Sequence, residues 1–164
     1  MKSHTYLTLK DFETICRELE VFFRKSKEPH PVFEESYFDK IDSVIASPRH
    51  TFDRNDLYPS FFEKAACYFY FINKLHPFSN GNKRISIVAT GVFLLYNGYE
   101  FTADEDIMYA FAKTVTISQN HQKIDFKNVV NFIKKNSRKQ NIAFNPTFLR
   151  DLLQFIFRKK QPKK

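Results

Sequence analysis

The chain has 164 residues, 43% of them hydrophobic and 27% charged, which fits one soluble globular domain and excludes a disordered chain. Three glycines are too few for the many turns of a sheet-rich fold, so composition favours helices, with aromatic bulk supplied by 20 Phe and eight Tyr. The net charge of +8 is a property of one end: residues 134–164 hold ten Lys/Arg and one acid, and the rest of the chain is near neutral. A basic end on a neutral body reads first as solvated charge and only second as a contact for an acidic partner.

Taken in chain order, Leu9 to Phe23 repeats Phe12, Ile15, Cys16, Leu19, Phe22 and Phe23 at helical spacing, with Pro29 and Pro31 as the stop. A second helical run is expected over 34–45, with Phe38, Ile41 and Ile45 on one side. Residues 46–58 carry Pro48, Asp53, Asn55 and Asp56 between isolated apolar residues and read as a loop or short hairpin. Residues 59–75, with Pro59 placed in the first turn, predict a helix apolar nearly all round, which belongs inside a bundle. Its partner is expected from about Gly81 to Tyr96, stopped by Asn97-Gly98. Further helices are expected at 104–118, 125–138 and about 146–158, the last with Pro146 near its start. The sum is an all-α single domain of about seven helices. Cys16 and Cys67 sit among apolar residues without metal-ligand spacing and read as buried thiols.

The segment His76-Pro77-Phe78-Ser79-Asn80-Gly81-Asn82-Lys83-Arg84 lies between the two buried helices. Gly81 and Asn82 stand where the second of them begins, and a helix start presents unpaired N–H groups and the positive end of its dipole. Asn82, Lys83 and Arg84 add donors suited to phosphate oxygens. His76 is the nearby side chain able to take a proton near neutral pH. Base, turn and cations within nine residues read together as a phosphate cradle with a base beside it.

HPFSNGNKR resembles the signature of the Fic/Doc family, and Lys83 with Ile87 three residues after Arg84 places it closer to the Doc-type pattern. The resemblance extends through Tyr58-Pro59, Glu63–Ala66 and Thr90–Tyr99, and covers about residues 34–117. It implies transfer from a nucleoside triphosphate such as ATP, with Mg²⁺, to a Ser, Thr or Tyr hydroxyl of a protein. The transferred group is AMP in Fic enzymes and a phosphoryl group in Doc-type toxins. By position His76 is the general base, Phe78 a core anchor, Gly81 and Asn82 the anion hole, and Lys83 and Arg84 the phosphate clamp. The loop 46–58 matches the family's flap, with Thr51 and Phe52 as target contacts. Asn80 stands where the family has its metal-binding acid, and a neutral amide is a weaker Mg²⁺ ligand. That departure motivates a second reading, an impaired nucleotide or phosphate binder.

Doc-type chains rely on a separate antitoxin, which is the expectation here. Thr14 and Glu18 have the spacing of the Fic inhibitory motif, but Leu19 does not complete it. A third reading, nucleic-acid binding through 134–164, rests on charge alone. The N-terminus lacks an apolar signal core and no apolar run is long enough to span a bilayer, so a cytoplasmic protein without membrane contact is expected.

Overall fold

The computed structural model describes residues 4–24, 31–140 and 148–157. Helix α1 (Leu9–Phe23) has the bounds its periodicity predicts. Thr8 and Asp11 form a reciprocal capping box at its start, and Phe12, Ile15, Cys16, Leu19 and Phe23 are buried. The expected stop at Pro29 lies outside the described residues.

The single helix expected over 34–45 is two pieces, a 3₁₀ turn at Phe33–Glu35 and helix α2 at Phe38–Ala46. The break falls at Ser36 and Tyr37, whose backbones are extended. There the Tyr37 N–H donates to the carbonyl of Pro77, 2.8 Å away. A bond to a segment forty residues later overrides local helical preference, and it ties the start of α2 to the turn after His76.

The stretch 46–58 holds a 3₁₀ turn (Ser47–Arg49) and a small hairpin of β1 (Thr51–Phe52) and β2 (Asn55–Asp56). Thr51 pairs with Asp56 and Phe52 with Asn55. Asp53 and Arg54 at the tip both have positive φ, as a two-residue primed turn demands.

Helix α3 spans Phe61–Leu75 and α4 spans Asn82–Tyr96, and the two pack on each other at the centre of the fold. Pro59 is not in the first turn as expected. It lies before Ser60, which is the N-cap and forms a capping box with Glu63, so the cap rather than the proline sets the start. Asn97 and Gly98, the latter at φ 79°, end α4 where the sequence puts the stop.

Strand β3 (Tyr99–Phe101) precedes α5 (Glu105–Ile117), whose N-cap Asp104 accepts the Ile107 N–H. Helix α6 covers Gln122–Lys135, not 125–138: it starts earlier, capped by His121, and stops earlier, at Asn136. Residues Ser137–Lys139 form β4, antiparallel to β3. The pairing closes with an Arg138–Glu100 ion pair at 2.7 Å. Helix α7 (Phe148–Ile156) packs on α1 and α4, burying Leu149, Leu152, Leu153 and Ile156. Phe157 lies against Phe22 and Phe23. Pro146 and the cationic residues 158–164 lie outside the described residues.

The described residues thus make an all-α fold of seven α-helices with two two-stranded sheets at its margins. One hydrophobic cluster runs through it from Leu7 to Phe157. Cys16 and Cys67 are free and buried, and burial pushes the Cys16 thiol up to about 12. Among the described residues no helix is long and apolar enough to cross a membrane.

Candidate active site

The turn between α3 and α4 is held from several sides. His76 caps α3 in the left-handed region (φ 47°, ψ 63°), with its N–H donating to the Ile72 carbonyl and its side chain exposed. A left-handed conformation is uncommon outside glycine and costs on the order of 1 kcal/mol, so surrounding contacts must enforce it. Lys40 of α2 donates to the Leu75 carbonyl at 2.9 Å, and Tyr37 takes the Pro77 carbonyl. Phe78 is buried with its ring beside Phe12, which fixes the middle of the turn to α1.

Asn82 is the staple. Its Oδ1 accepts the Phe78 N–H at 3.0 Å and its Nδ2 donates to the Phe78 carbonyl at 2.7 Å. The amide is committed to shaping the loop, which leaves the backbone N–H of Asn82 as its donor toward an incoming anion. Gly81 precedes it as the N-cap at φ 74°, and a Cβ there would lie 3.2 Å from Pro31 Cδ. Glycine is needed both for the turn and for the closeness of Pro31. Since Gly81 offers no side chain, α4 begins without a side-chain cap. The start of α4 therefore combines a positive dipole end with backbone donors.

Lys83 is half-buried in the first turn of α4. Arg84 is buried, with its guanidinium carbon 4.6 Å from the centre of the Phe23 ring, so part of its role is to join α4 to the end of α1. Asn80 is exposed, and among the described residues no three His, Cys, Asp or Glu side chains cluster as a metal site. Asn80 offers a neutral amide oxygen, a weaker Mg²⁺ ligand than a carboxylate.

The flap residues are on the hairpin, outside the turn. Thr51 and Phe52 are exposed, Phe52 at 75%. The hairpin is moored at the start of α3, where the buried Lys64 donates to Asp56 Oδ2 at 2.8 Å and to the Pro48 carbonyl at 3.1 Å. Lys64 stands twelve residues before His76, about 18 Å of helix at 1.5 Å per residue. Among the described residues no hydrogen bond or ring contact joins Thr51 or Phe52 to the turn 76–84. The structure brings His76, Phe78, Gly81, Asn82, Lys83 and Arg84 together; the hairpin is anchored at Lys64, and Tyr58, which follows it, meets the ring of Phe71, five residues before His76.

Sequence reasoning missed the residues that hold this arrangement. Lys64 had a signal, a lysine directly before the apolar run Ala65–Ile72. Lys74 and Asp125 had none. Asp125, only 4% exposed, pairs with Lys74 at 3.2 Å and accepts from Ser118 and Asn120, which fixes α6 to the last turn of α3, two residues before His76. Burial works to raise its carboxyl, but the bonds from Ser118, Lys74 and Asn120 and the charge of Lys74 outweigh it and hold it below the ordinary carboxylate range.

The family model described as "Fic/DOC family" matches residues 6–94, more than half of the chain, and includes the whole motif. The chain belongs to the Fic/DOC family. The match takes in α1, which the resemblance read from about 34 to 117 left out, and ends within α4. The contacts of Phe12 with Phe78 and of Phe23 with Arg84 show why α1 belongs with the motif. A curated relative, Toxin Doc of Mycolicibacterium smegmatis, is 34% identical over 67 residues, which is 41% of this chain and 52% of the relative. The alignment therefore spans about half of that toxin's length. No solved structure matches the chain.

Proposed function

We propose that this protein transfers a phosphoryl group, or AMP, from a nucleoside triphosphate to a Ser, Thr or Tyr hydroxyl of a protein target, and that it is a Doc-type toxin restrained by a separate antitoxin. The observation that carries the reading is the turn 76–84, with an exposed histidine at one end and a helix start without a side-chain cap at the other. Family membership and the likeness to Toxin Doc add to it.

In this reading the phosphate oxygens rest on the backbone N–H groups opening α4, with Lys83 adding charge. His76 takes the proton of the target hydroxyl as its oxygen attacks phosphorus. The bond to the leaving oxygen breaks, releasing a nucleoside diphosphate in phosphoryl transfer or pyrophosphate in AMP transfer. The target docks along the outer edge of β1 as an added strand, against Thr51 and Phe52, and the reacting hydroxyl lies farther along the same segment, at His76. Arg84, whose guanidinium lies over the Phe23 ring, is the second cation of the phosphate clamp.

The decisive experiment gives wild type and His76→Ala a lysate, Mg²⁺ and ATP labelled at either the α or the γ phosphate. Label on a protein from the γ position alone, lost in the variant, supports a kinase. Label from the α position, lost in the variant, supports an AMP transferase. Asn80 favours a second reading, a nucleotide or phosphate binder without turnover, which predicts no label from either position and a gain of labelling in Asn80→Asp. Nucleic-acid binding ranks below both, since Arg138 is already paired with Glu100 and residues 158–164 contribute charge alone.

A further inference from the structure

A cleft of about 640 Å³ lies apart from the turn 76–84, between the end of the flap, the start of α3 and one face of α6. Leu57 and Tyr58 line it from the flap side, and Phe126 and Val130 from α6. Tyr58 and Phe126 meet with ring centres 5.0 Å apart, so its floor is aromatic. Leu57 is 49% exposed, a large apolar side chain left uncovered at the cleft's mouth. Lys123 and Lys127, one turn apart on α6, supply cations at its edge. Among the described residues neither makes an ion pair. The carboxylate that lines the cleft, Glu63, already accepts the Ser60 N–H at 2.8 Å. The N-terminus of α6, with its positive dipole end, points the charge balance the same way.

The cleft also has a direction. At one end it touches Leu57, directly after β2, and Glu63 in the first turn of α3. At the other it reaches His121 and Gln122, at the start of α6, close in sequence to Asp125, which is paired with Lys74 beside His76. It therefore lies between the end of the flap and α6, whose Asp125 is paired with Lys74 two residues before His76.

We infer that this cleft holds a segment of the protein target: an extended acidic stretch that seats one aromatic or large aliphatic side chain on Tyr58 and Phe126 and sets its carboxylates against Lys123 and Lys127. The inference rests on the transfer reading for its occupant, and it names the chemistry that would select the target. The charge decides among occupants, because two unpaired lysines over an apolar floor disfavour a basic segment and give a neutral one no gain.

The test uses the full chain and two fluorescein-labelled hexapeptides, Glu-Asp-Phe-Ser-Asp-Glu and Lys-Lys-Phe-Ser-Lys-Lys, with binding read by anisotropy and mapped by amide chemical shifts. The acidic peptide is expected to bind saturably and at least 10-fold tighter than the basic one, shifting Leu57, Gln122 and Val130. The double variant Lys123→Glu, Lys127→Glu, both on an exposed face, is expected to weaken it at least 10-fold, and Leu57→Ser several-fold, whereas His76→Ala leaves it unchanged. Equal affinities for the two peptides, indifference to the charge reversal, or shifts centred on residues 134–139 would overturn the inference. The same double variant in the labelled-ATP assay separates the two claims. Full labelling with the charges reversed sinks the cleft as a target site and leaves transfer standing. Acidic-peptide binding with no labelling by wild type sinks transfer and leaves the cleft as a site for such peptides.

Discussion

At Ser60 the chain closes the start of α3 with a reciprocal pair of side-chain bonds to and from Glu63, whereas at Gly81 it opens α4 with no side-chain cap at all. The two helices are neighbours of equal length, both largely buried, so burial does not explain the difference. A helix start needs its donors satisfied, and a serine with a glutamate three residues on is a local way to do it. At α4 the local effort goes instead into shape: a glycine at φ 74° against Pro31, and an asparagine amide spent on Phe78. The first start is built for stability alone. The second is built to hold a turn that ends in donors and begins with an exposed histidine.

The largest effect that would sharpen this contrast is chemical. His76→Ala should reduce labelling of the target about 10²- to 10⁴-fold, the usual worth of a general base. Because the side chain is exposed, the thermal midpoint should move little. An unfolded variant would mean that His76 is part of the scaffold.

Next comes the last turn of α3, beside His76. Asp125→Asn should cost about 2–3 kcal/mol at neutral pH in urea unfolding, since it removes the charge facing Lys74 in a mostly buried pair. The sign of the pH dependence follows from the lowered carboxyl. Its contribution is present above the unfolded value near 4 and is lost as pH falls through the lower folded value. Wild type should therefore lose stability below about pH 4 more steeply than Asp125→Asn. Parallel acid arms would contradict the assignment.

Gly81→Ala should destabilise by about 2 kcal/mol, from a left-handed alanine and the push against Pro31. Gly98→Ala shares the positive φ but meets open space, so about 1 kcal/mol is expected. The difference between the two isolates the Pro31 contact, and equal losses would remove it from the account. Ser60→Ala is the smallest change, about 1 kcal/mol by loss of the cap, with labelling unaffected. If it instead reduced labelling, the two helix starts would not differ in purpose.

Much of this was legible beforehand where periodicity, caps and stops act within a few residues. The bounds of α1, the Asn97-Gly98 stop and the hairpin near 51–56 follow from such local signals. The residues of the turn 76–84 were legible as a group because one short segment carries them all. The roles within it were less so. Asn82 and Arg84 look like free donors in the sequence, but one is bonded to Phe78 and the other lies over Phe23, a helix away.

The sequence by itself determined an all-α chain with two buried central helices and a base, a glycine turn and cations between them, because helical spacing and turn residues are written locally. Tertiary structure alone decided where the helix run at 34–45 breaks, since the break follows a bond from Tyr37 to Pro77. It also decided that Ser137–Lys139 leaves α6 to pair with Tyr99–Phe101, which a polar tripeptide without alternation cannot announce. And it decided the cleft, whose floor joins Tyr58 to Phe126 across 68 positions of sequence, because packing between distant helices has no local signature.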